Sequence, residues 1–346
     1  MLNDQPTPPN SDQIAPAPAA TDDIATGRVV HRGRKVFARR DWSWSDVTTV
    51  LGLAALLLPA WLLPERCWHP AWRALARLPL VTNGRAARKT GKVIGAALGE
   101  ENRKRCEAIA RDLKANVYEM RMQDLRSFRP AVLGGGWRPE MTLEGEEHLK
   151  AALAGKKGAV LWLAPFVFNS GPTKIVLHER GYRVSHLSSP HHGYSETKFG
   201  ITWLNRVRCR WEDRYITERV VYDREAPASA MRRLMRAVKG GDIATIVAAS
   251  TEGSELIKAP VFGGFLPVAV GAPRLAGLTG APLLPVFTVR DSEAGFRIAI
   301  ESPIEITPGL GGDQRVVAAA AEFLRRSEPW VRRYPEQWRA WSKWRG

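Results

Sequence analysis

At 346 residues and 45% hydrophobic, the chain is long enough to bury a sizeable core, and most of it should fold. Its 51 Lys and Arg against 35 Asp and Glu leave a net charge of +16, which points to an anionic partner: membrane lipid, an acidic carrier protein or nucleic acid. Three scattered cysteines, Cys67, Cys106 and Cys209, have no CxxC spacing, which argues against a disulfide framework or a zinc site and suits a reducing compartment.

Residues 1–44 divide into a Pro-, Ala-, Asp- and Thr-rich tail and a basic stretch holding Arg28, Arg32, Arg34, Lys35, Arg39 and Arg40. The tail lacks an apolar period, so disorder is expected where burial cannot offset the entropy of ordering. Residues 45–66 form the candidate anchor. Between Asp46 and Glu65 lie 18 uncharged residues, VTTVLGLAALLLPAWLLP, about the minimum for crossing the hydrocarbon layer. The run lies too far along the chain for an ordinary secretory signal, and the basic flank predicts a cytoplasmic N-terminus. Pro59 and the following RCWHPAWRALARL also allow an interfacial helix, with residues 67–84 as an interfacial linker.

Residues 85–346 read as one α/β domain. ENRKRCEAIARDLKANVYEMRMQDLRSF and LEGEEHLKAALAGKKG have helical patterns, the second closed by glycine. The apolar runs AVLWLA, YRVSHLS, DIATIVAA, PLLPVFTV and FRIAIES read as strands. Helical candidates PTKIVLHER, YSETKFGITWLNRV, APASAMRRLMRAVKG and VAVGAPRLAGLTG lie between them, and QRVVAAAAEFLRRSEPWVRR follows. Strands alternating with helices predict a mostly parallel central sheet flanked by helices.

The sequence has no P-loop or dinucleotide glycine loop in its strand–loop–helix context, no GxSxG elbow and no histidine–carboxylate metal cluster. Without a basic–aromatic recognition motif, the positive charge is read as meeting an anionic membrane surface rather than nucleic acid. Three passages are more specific: LEGEEHLKAALAGKKGAVLWLAPF, PVFGGFLPVAVGAPRLAGLTGAPLLPVF and WVRRYPEQWRAWSKW. In that order they resemble the bacterial lipid A biosynthesis lauroyl/myristoyl acyltransferases, within the lysophospholipid acyltransferase superfamily, over about residues 85–345. The resemblance implies a glycerolipid acyltransferase-like fold behind a membrane-anchoring helix at the cytoplasmic face of the bacterial inner membrane. It implies transfer of a fatty acyl group from acyl carrier protein or acyl-CoA, as co-substrate, to a hydroxyl of a lipid A or lysophospholipid type acceptor. It implies no other cofactor and no metal.

That family places a histidine, four residues and then an acidic residue after the first strand, the histidine deprotonating the acceptor hydroxyl. Here Pro165 and Ser170 occupy those positions in one register, and Phe166 and Gly171 in the other. The polar groups left there are Asn169, Ser170 and Lys174, candidates to bind a headgroup or an oxyanion. PHHGYSETKFG, after the next strand, offers His191 or His192 as the base and Glu196 as its orienter, with His191 to Glu196 at the family's spacing. The alternative is that these histidines bind phosphate or cap a helix, in a non-catalytic relative that binds lipid or acyl carrier protein. The resemblance further suggests acceptor contacts at Arg224 and at Glu252 and Gly253.

Overall fold

The computed structural model describes residues 29–31, 40–78, 83–189, 192–222, 226–248, 255–292, 295–305 and 311–346. Nearly all of the expected tail, with Arg28, Arg32, Arg34, Lys35 and Arg39, lies outside them. In chain order the elements are β1 (Val29–His31), α1 (Trp44–Leu62), α2 (Trp68–Leu75), α3 (Gly84–Leu98), α4 (Arg103–Arg126), β2 (Glu140–Glu144), α5 (Glu146–Ala154), β3 (Ala159–Leu163), α6 (Gly171–Glu179) and β4 (Val184–Ser188). They continue with α7 (Asn205–Glu212), β5 (Glu218–Val221), α8 (Pro227–Lys239), β6 (Ile243–Val247), β7 (Glu255–Val261), β8 (Gly264–Ala269), α9 (Gly271–Thr279), β9 (Leu283–Arg290), β10 (Gly295–Ile300) and α10 (Gly312–Arg333).

The central sheet has seven strands in the order β2-β10-β9-β3-β6-β4-β5, all parallel to their neighbours except the β9–β10 pair. A second sheet, β1-β7-β8, is antiparallel. β3 shows why the central strands read as unbroken apolar runs. Its alternate residues Val160 and Trp162 pack with Leu234, Leu275 and Phe323 of α8, α9 and α10. Leu161 and Leu163 pack on the other side with Leu149, Leu177 and Val184 of α5, α6 and β4. Each such side chain contributes roughly 1.5–3 kcal/mol. Gly158 admits the chain to β3 at φ +64, where a Cβ would stand 2.4 Å from the Val238 carbonyl oxygen.

The N-terminal helices pack around α4. α1 starts at a box in which Asp46 Oδ2 accepts from the Ser43 N–H at 2.7 Å. It ends at Leu62, short of the predicted residue 66, because Leu63 precedes Pro64 and takes an extended conformation. The expected linker holds a second helix, α2. Ala60, Trp68, Met122 and Leu125 form a small core there, while Trp44, Leu51, Leu58 and Leu62 are exposed. With 19 residues and a mean hydropathy of 1.6, α1 is long and apolar enough to cross a membrane.

Candidate active site

The carboxyl ends of β3, β6 and β4 lie side by side, the edge where open α/β sheets bind ligands. Beyond β3, residues 164–170 are buried. The C-terminal tail holds them there: Phe166 pairs with Trp338, Val167 N donates to the Gln337 carbonyl at 2.8 Å, and Arg339 N donates to the Pro165 carbonyl at 2.9 Å. The Gln337 side chain also brackets Arg290 at the end of β9, accepting from its N–H at 2.8 Å and donating to its carbonyl at 2.9 Å. The Tyr-Pro-Glu-Gln-Trp segment therefore laces the ends of β3 and β9 together. Its glutamine gives both ends of its side-chain amide to the backbone of Arg290, with a longer bond from Nε2 to Glu336 Oε1 at 3.5 Å.

Beyond β4, the chain builds a buried charge cluster around Glu212, the last residue of α7. Glu212 Oε2 accepts from Lys174 Nζ at 2.7 Å, Arg219 Nη2 at 2.9 Å and His192 Nε2 at 2.9 Å, and Oε1 accepts from Arg208 Nε at 3.0 Å. Four charge-assisted partners offset the cost of burying the carboxylate. Burial alone would raise the Glu212 pKa, but His192 and Lys174 hold it well below the usual carboxylate range. Burial pushes Lys174 down to about 8 against the pull of Glu212. Arg208 leans in turn on Asp124 (4.0 Å), which accepts from the Tyr194 hydroxyl at 2.6 Å and from the Trp211 indole at 3.0 Å.

Burial lowers the His192 pKa to about 4, with Glu212 opposing the shift, so the imidazole is neutral at physiological pH. Since the Glu212 carboxylate can only accept, Nε2 carries the proton and the lone pair is left on Nδ1. This is the tautomer of a general base oriented by a carboxylate. His192 lines a cavity of about 610 Å³ together with Asn169, Ser170, Arg208, Arg339 and Lys343. That size suits a small-molecule or lipid-headgroup site. His186, on the same wall, is bonded through Nδ1 to Thr245 Oγ1 at 2.9 Å, and burial and Lys174 keep it well below 6.5.

Not all of the predicted residues meet here. His192 does. Glu196 does not: it is exposed, and the carboxylate against His192 is Glu212. The physical reason lies in the loop. Asn205 Oδ1 accepts from the N–H groups of Tyr194 and Ser195, while the Ser195 and Thr197 hydroxyls donate to Asp46 of α1, which carries Glu196 out to the surface. Lys174 is no free headgroup ligand, because its ammonium is fully buried against Glu212. Asn169 is tied to the Ala164 carbonyl at 3.0 Å, though it borders the cavity. The Ser170 hydroxyl, also at the cavity, is buried without a hydrogen-bond partner among the described residues. His191, Arg224, Glu252 and Gly253 lie outside the described residues. Among the described residues no group of three or more His, Cys, Asp or Glu is placed to hold a metal ion. Glu212, Arg208 and Arg219 carry little signal in the sequence. WLNRVRCRWEDRY reads as a solvated basic helix, and only the Arg208–Glu212 spacing of four hints at an internal pair.

A family model described as bacterial lipid A biosynthesis acyltransferase matches residues 40–344. No curated protein matches the chain. Among solved structures, the 1-acyl-sn-glycerophosphate (LPA) acyltransferase PlsC from Thermotoga maritima is similar at 15% identity and a TM-score of 0.34, covering 70% of this chain and 88% of that one.

Proposed function

Since the chain belongs to the bacterial lipid A biosynthesis acyltransferase family, an acyltransferase family acting on lipid, we propose that it moves a fatty acyl group from an acyl thioester to a hydroxyl of a membrane lipid, with His192 as the base. The donor is acyl carrier protein or acyl-CoA, and the acceptor a lipid of lipid A or lysophospholipid type. The observation that carries the reading is the neutral His192 on Glu212 at the wall of the cavity. His192 Nδ1 takes the proton of the acceptor hydroxyl as its oxygen bonds to the thioester carbonyl carbon. Collapse of the tetrahedral intermediate breaks the carbon–sulfur bond, and the imidazolium returns the proton to the departing thiolate. Glu212 stabilises the imidazolium between those two steps.

The setting is the cytoplasmic face of the bacterial inner membrane. The net charge of +16 suits an anionic surface, and the exposed apolar side chains of α1 suit acyl chains. Both ends of α1 are tied to the domain, Asp46 by Ser195 and Thr197, and the carbonyls of Ala60, Trp61 and Leu63 by Arg126 Nη1. A helix held at both ends lies along its domain, which favours seating in one leaflet over crossing.

A second reading has one observation behind it. The segment after β3 presents Pro165 and buried apolar residues where the family sequences place a histidine, as in a relative that binds lipid or acyl carrier protein without catalysis. Mass spectrometry of host lipids separates the two. Deletion of the gene should remove one acyl chain from one lipid, native protein should restore it, and His192→Ala should not. No change in acylation on deletion favours the binding protein. Full restoration by His192→Ala removes His192 as the base.

A further inference from the structure

The loop that carries His192 away from the sheet is fastened to the start of α1. Asp46, at the third position of that helix, is only 2% exposed. Its Oδ2 serves the helix itself, accepting from the Ser43 N–H and hydroxyl, and it also accepts from the Thr197 hydroxyl at 2.9 Å. Its Oδ1 accepts from the Ser195 hydroxyl. A capping box needs one oxygen and works in full solvent. Burying the carboxylate costs free energy unless further donors meet it, and the donors that meet it here come from the His192 loop. Backbone bonds run beside them: Lys198 N donates to the Arg40 carbonyl at 3.3 Å, and Phe199 N to that of Asp41 at 2.9 Å.

Both members of the histidine–carboxylate pair hang from this link. Ser195 follows His192 by three positions. Thr197 Oγ1 in turn accepts from the Gly200 N–H at 3.0 Å, where the π-helical turn Gly200–Leu204 begins, and that turn runs on into α7 and so to Glu212. The packing is close, since a Cβ on Gly200 would collide with Cβ and Oγ of Ser195. The Tyr194 hydroxyl on Asp124 ties the loop to α4, and the backbone of Tyr194 and Ser195 on Asn205 ties it to α7. Asp46 ties it to the helix whose apolar side chains face outward.

We propose that Asp46 is a positioning residue for the transfer reaction: through Ser195 and Thr197, α1 fixes the loop that sets His192 against Glu212. The helix offered to lipid is then also part of the frame of the active site. This rests on the reading of His192 as the base. A displacement of about 1 Å at a reacting group costs up to about a hundredfold in rate, so a clamp remote from the chemistry bears on turnover. The charged and titratable groups around His192 are Lys174 of α6, His186 of β4, Arg208 and Glu212 of α7 and Arg219 of β5, and a change at Asp46 removes none of them. Burial is the largest cause of the low His192 pKa, so a loosened loop that admits water should raise it.

The test is an NMR titration of the full-length protein in detergent micelles, with isotope-labelled histidine and the His192 signal identified by its loss in His192→Gln. In native protein the imidazole should titrate at about 4. Asp46→Ala should bring that midpoint above about 5, toward the value of a solvated histidine, and slow acyl transfer by about tenfold to a hundredfold. Transfer is measured in membranes of the deletion strain, supplied with acyl carrier protein or coenzyme A thioesters. Ser195→Ala together with Thr197→Val cuts the same link and leaves the box to Ser43 in place, so it should reproduce both effects even if Asp46→Ala folds poorly. Asp46→Asn, which keeps one accepting oxygen, should lie between. Combining the two sets should cost no more than the larger alone, because both cut one link. Asp41→Asn breaks only the exposed pair to Lys198 and should leave transfer within about twofold. The proposal is overturned if folded variants titrate or transfer as native protein does, or if the losses of the two sets multiply. Failure of the catalytic reading looks different: native protein that transfers nothing, with a raised midpoint in Asp46→Ala, would sink the base and leave the clamp standing.

Discussion

The chain leaves β3 and β4 at the same edge of the sheet with only β6 between them, yet the two exits have opposite characters. After β3, the segment 164–170 is buried, mostly apolar and held down by the C-terminal tail. After β4, the chain carries a histidine onto a carboxylate that three further cations share. Both exits border one cavity. What a substrate meets there is decided by the sheet edge, since these two exits open on the same space. Under the proposed function, the base sits at the β4 exit.

The largest effect should come from breaking the β4 side. Glu212→Gln leaves Lys174, Arg208 and Arg219 buried without their shared anion, and removal of one partner from a buried charge cluster costs about 3–5 kcal/mol. Urea unfolding should show that loss, and acyl transfer should fall by about 10²–10⁴ as His192 loses its orienter. A loss under about 1 kcal/mol would mean that the cluster is far better solvated than its burial suggests.

The same side can be tested by pH without a mutation. An unfolded histidine takes up its proton near 6.5, but folded His192 only near 4. Between those values the unfolded chain binds the extra proton, so stability should fall as pH falls from 6.5. Glu212 adds to this below its ordinary 4.5, because its folded pKa lies well lower and its contribution is lost as it protonates. Lys174 works in a separate window: its folded pKa of about 8 against 10.5 makes stability rise as pH rises between the two. In kinetics, the acid limb of kcat/KM should lie near 4. A limb near 6.5 would show a solvated histidine and refute the buried pair.

Breaking the β3 side should cost less. Gln337→Ala strips the side-chain partners from the N–H and C=O of Arg290 and loosens the tail over residues 164–170. Two buried backbone groups left unpaired cost about 2–6 kcal/mol in sum, to be read as a lowered midpoint of thermal unfolding. A midpoint unchanged within error would mean that water replaces the glutamine and that the lacing is incidental.

How much of this is legible beforehand follows from the two exits. β3, β4, β6, β9 and β10 show in the sequence because they are mostly apolar runs buried by their neighbours. β2 does not, since Glu140-Met-Thr-Leu-Glu144 is an edge strand with alternately exposed residues. The two-stranded core of the second sheet, β7 and β8, has the same obscurity: Pro260 and Pro267 interrupt the strand pattern. His192 is legible as a histidine in a polar loop just after a strand. Its carboxylate is not, because the partner stands 20 positions away on a helix whose charges look solvated until the fold closes over them. Lys174 is legible as polar and misread as available, for burial is the one property that a lysine's own neighbours in sequence do not reveal.

The smallest expected effect draws the comparison most finely. Glu196 is the acid near His192 in sequence and Glu212 the distant one, and it is Glu212 that touches it. Glu196 is exposed on a loop held by Asn205 and Asp46, neither of which needs its carboxylate. Glu196→Gln should therefore change stability by no more than about 0.5 kcal/mol, as for other exposed positions, and leave acyl transfer within about twofold. Glu212→Gln under the same conditions supplies the contrast. Equal losses from the two variants would mean that the loop swings Glu196 inward during turnover, with the spacing of four residues from His191 used after all. A silent Glu196→Gln beside a crippled Glu212→Gln would leave the helix carboxylate as the orienter of His192.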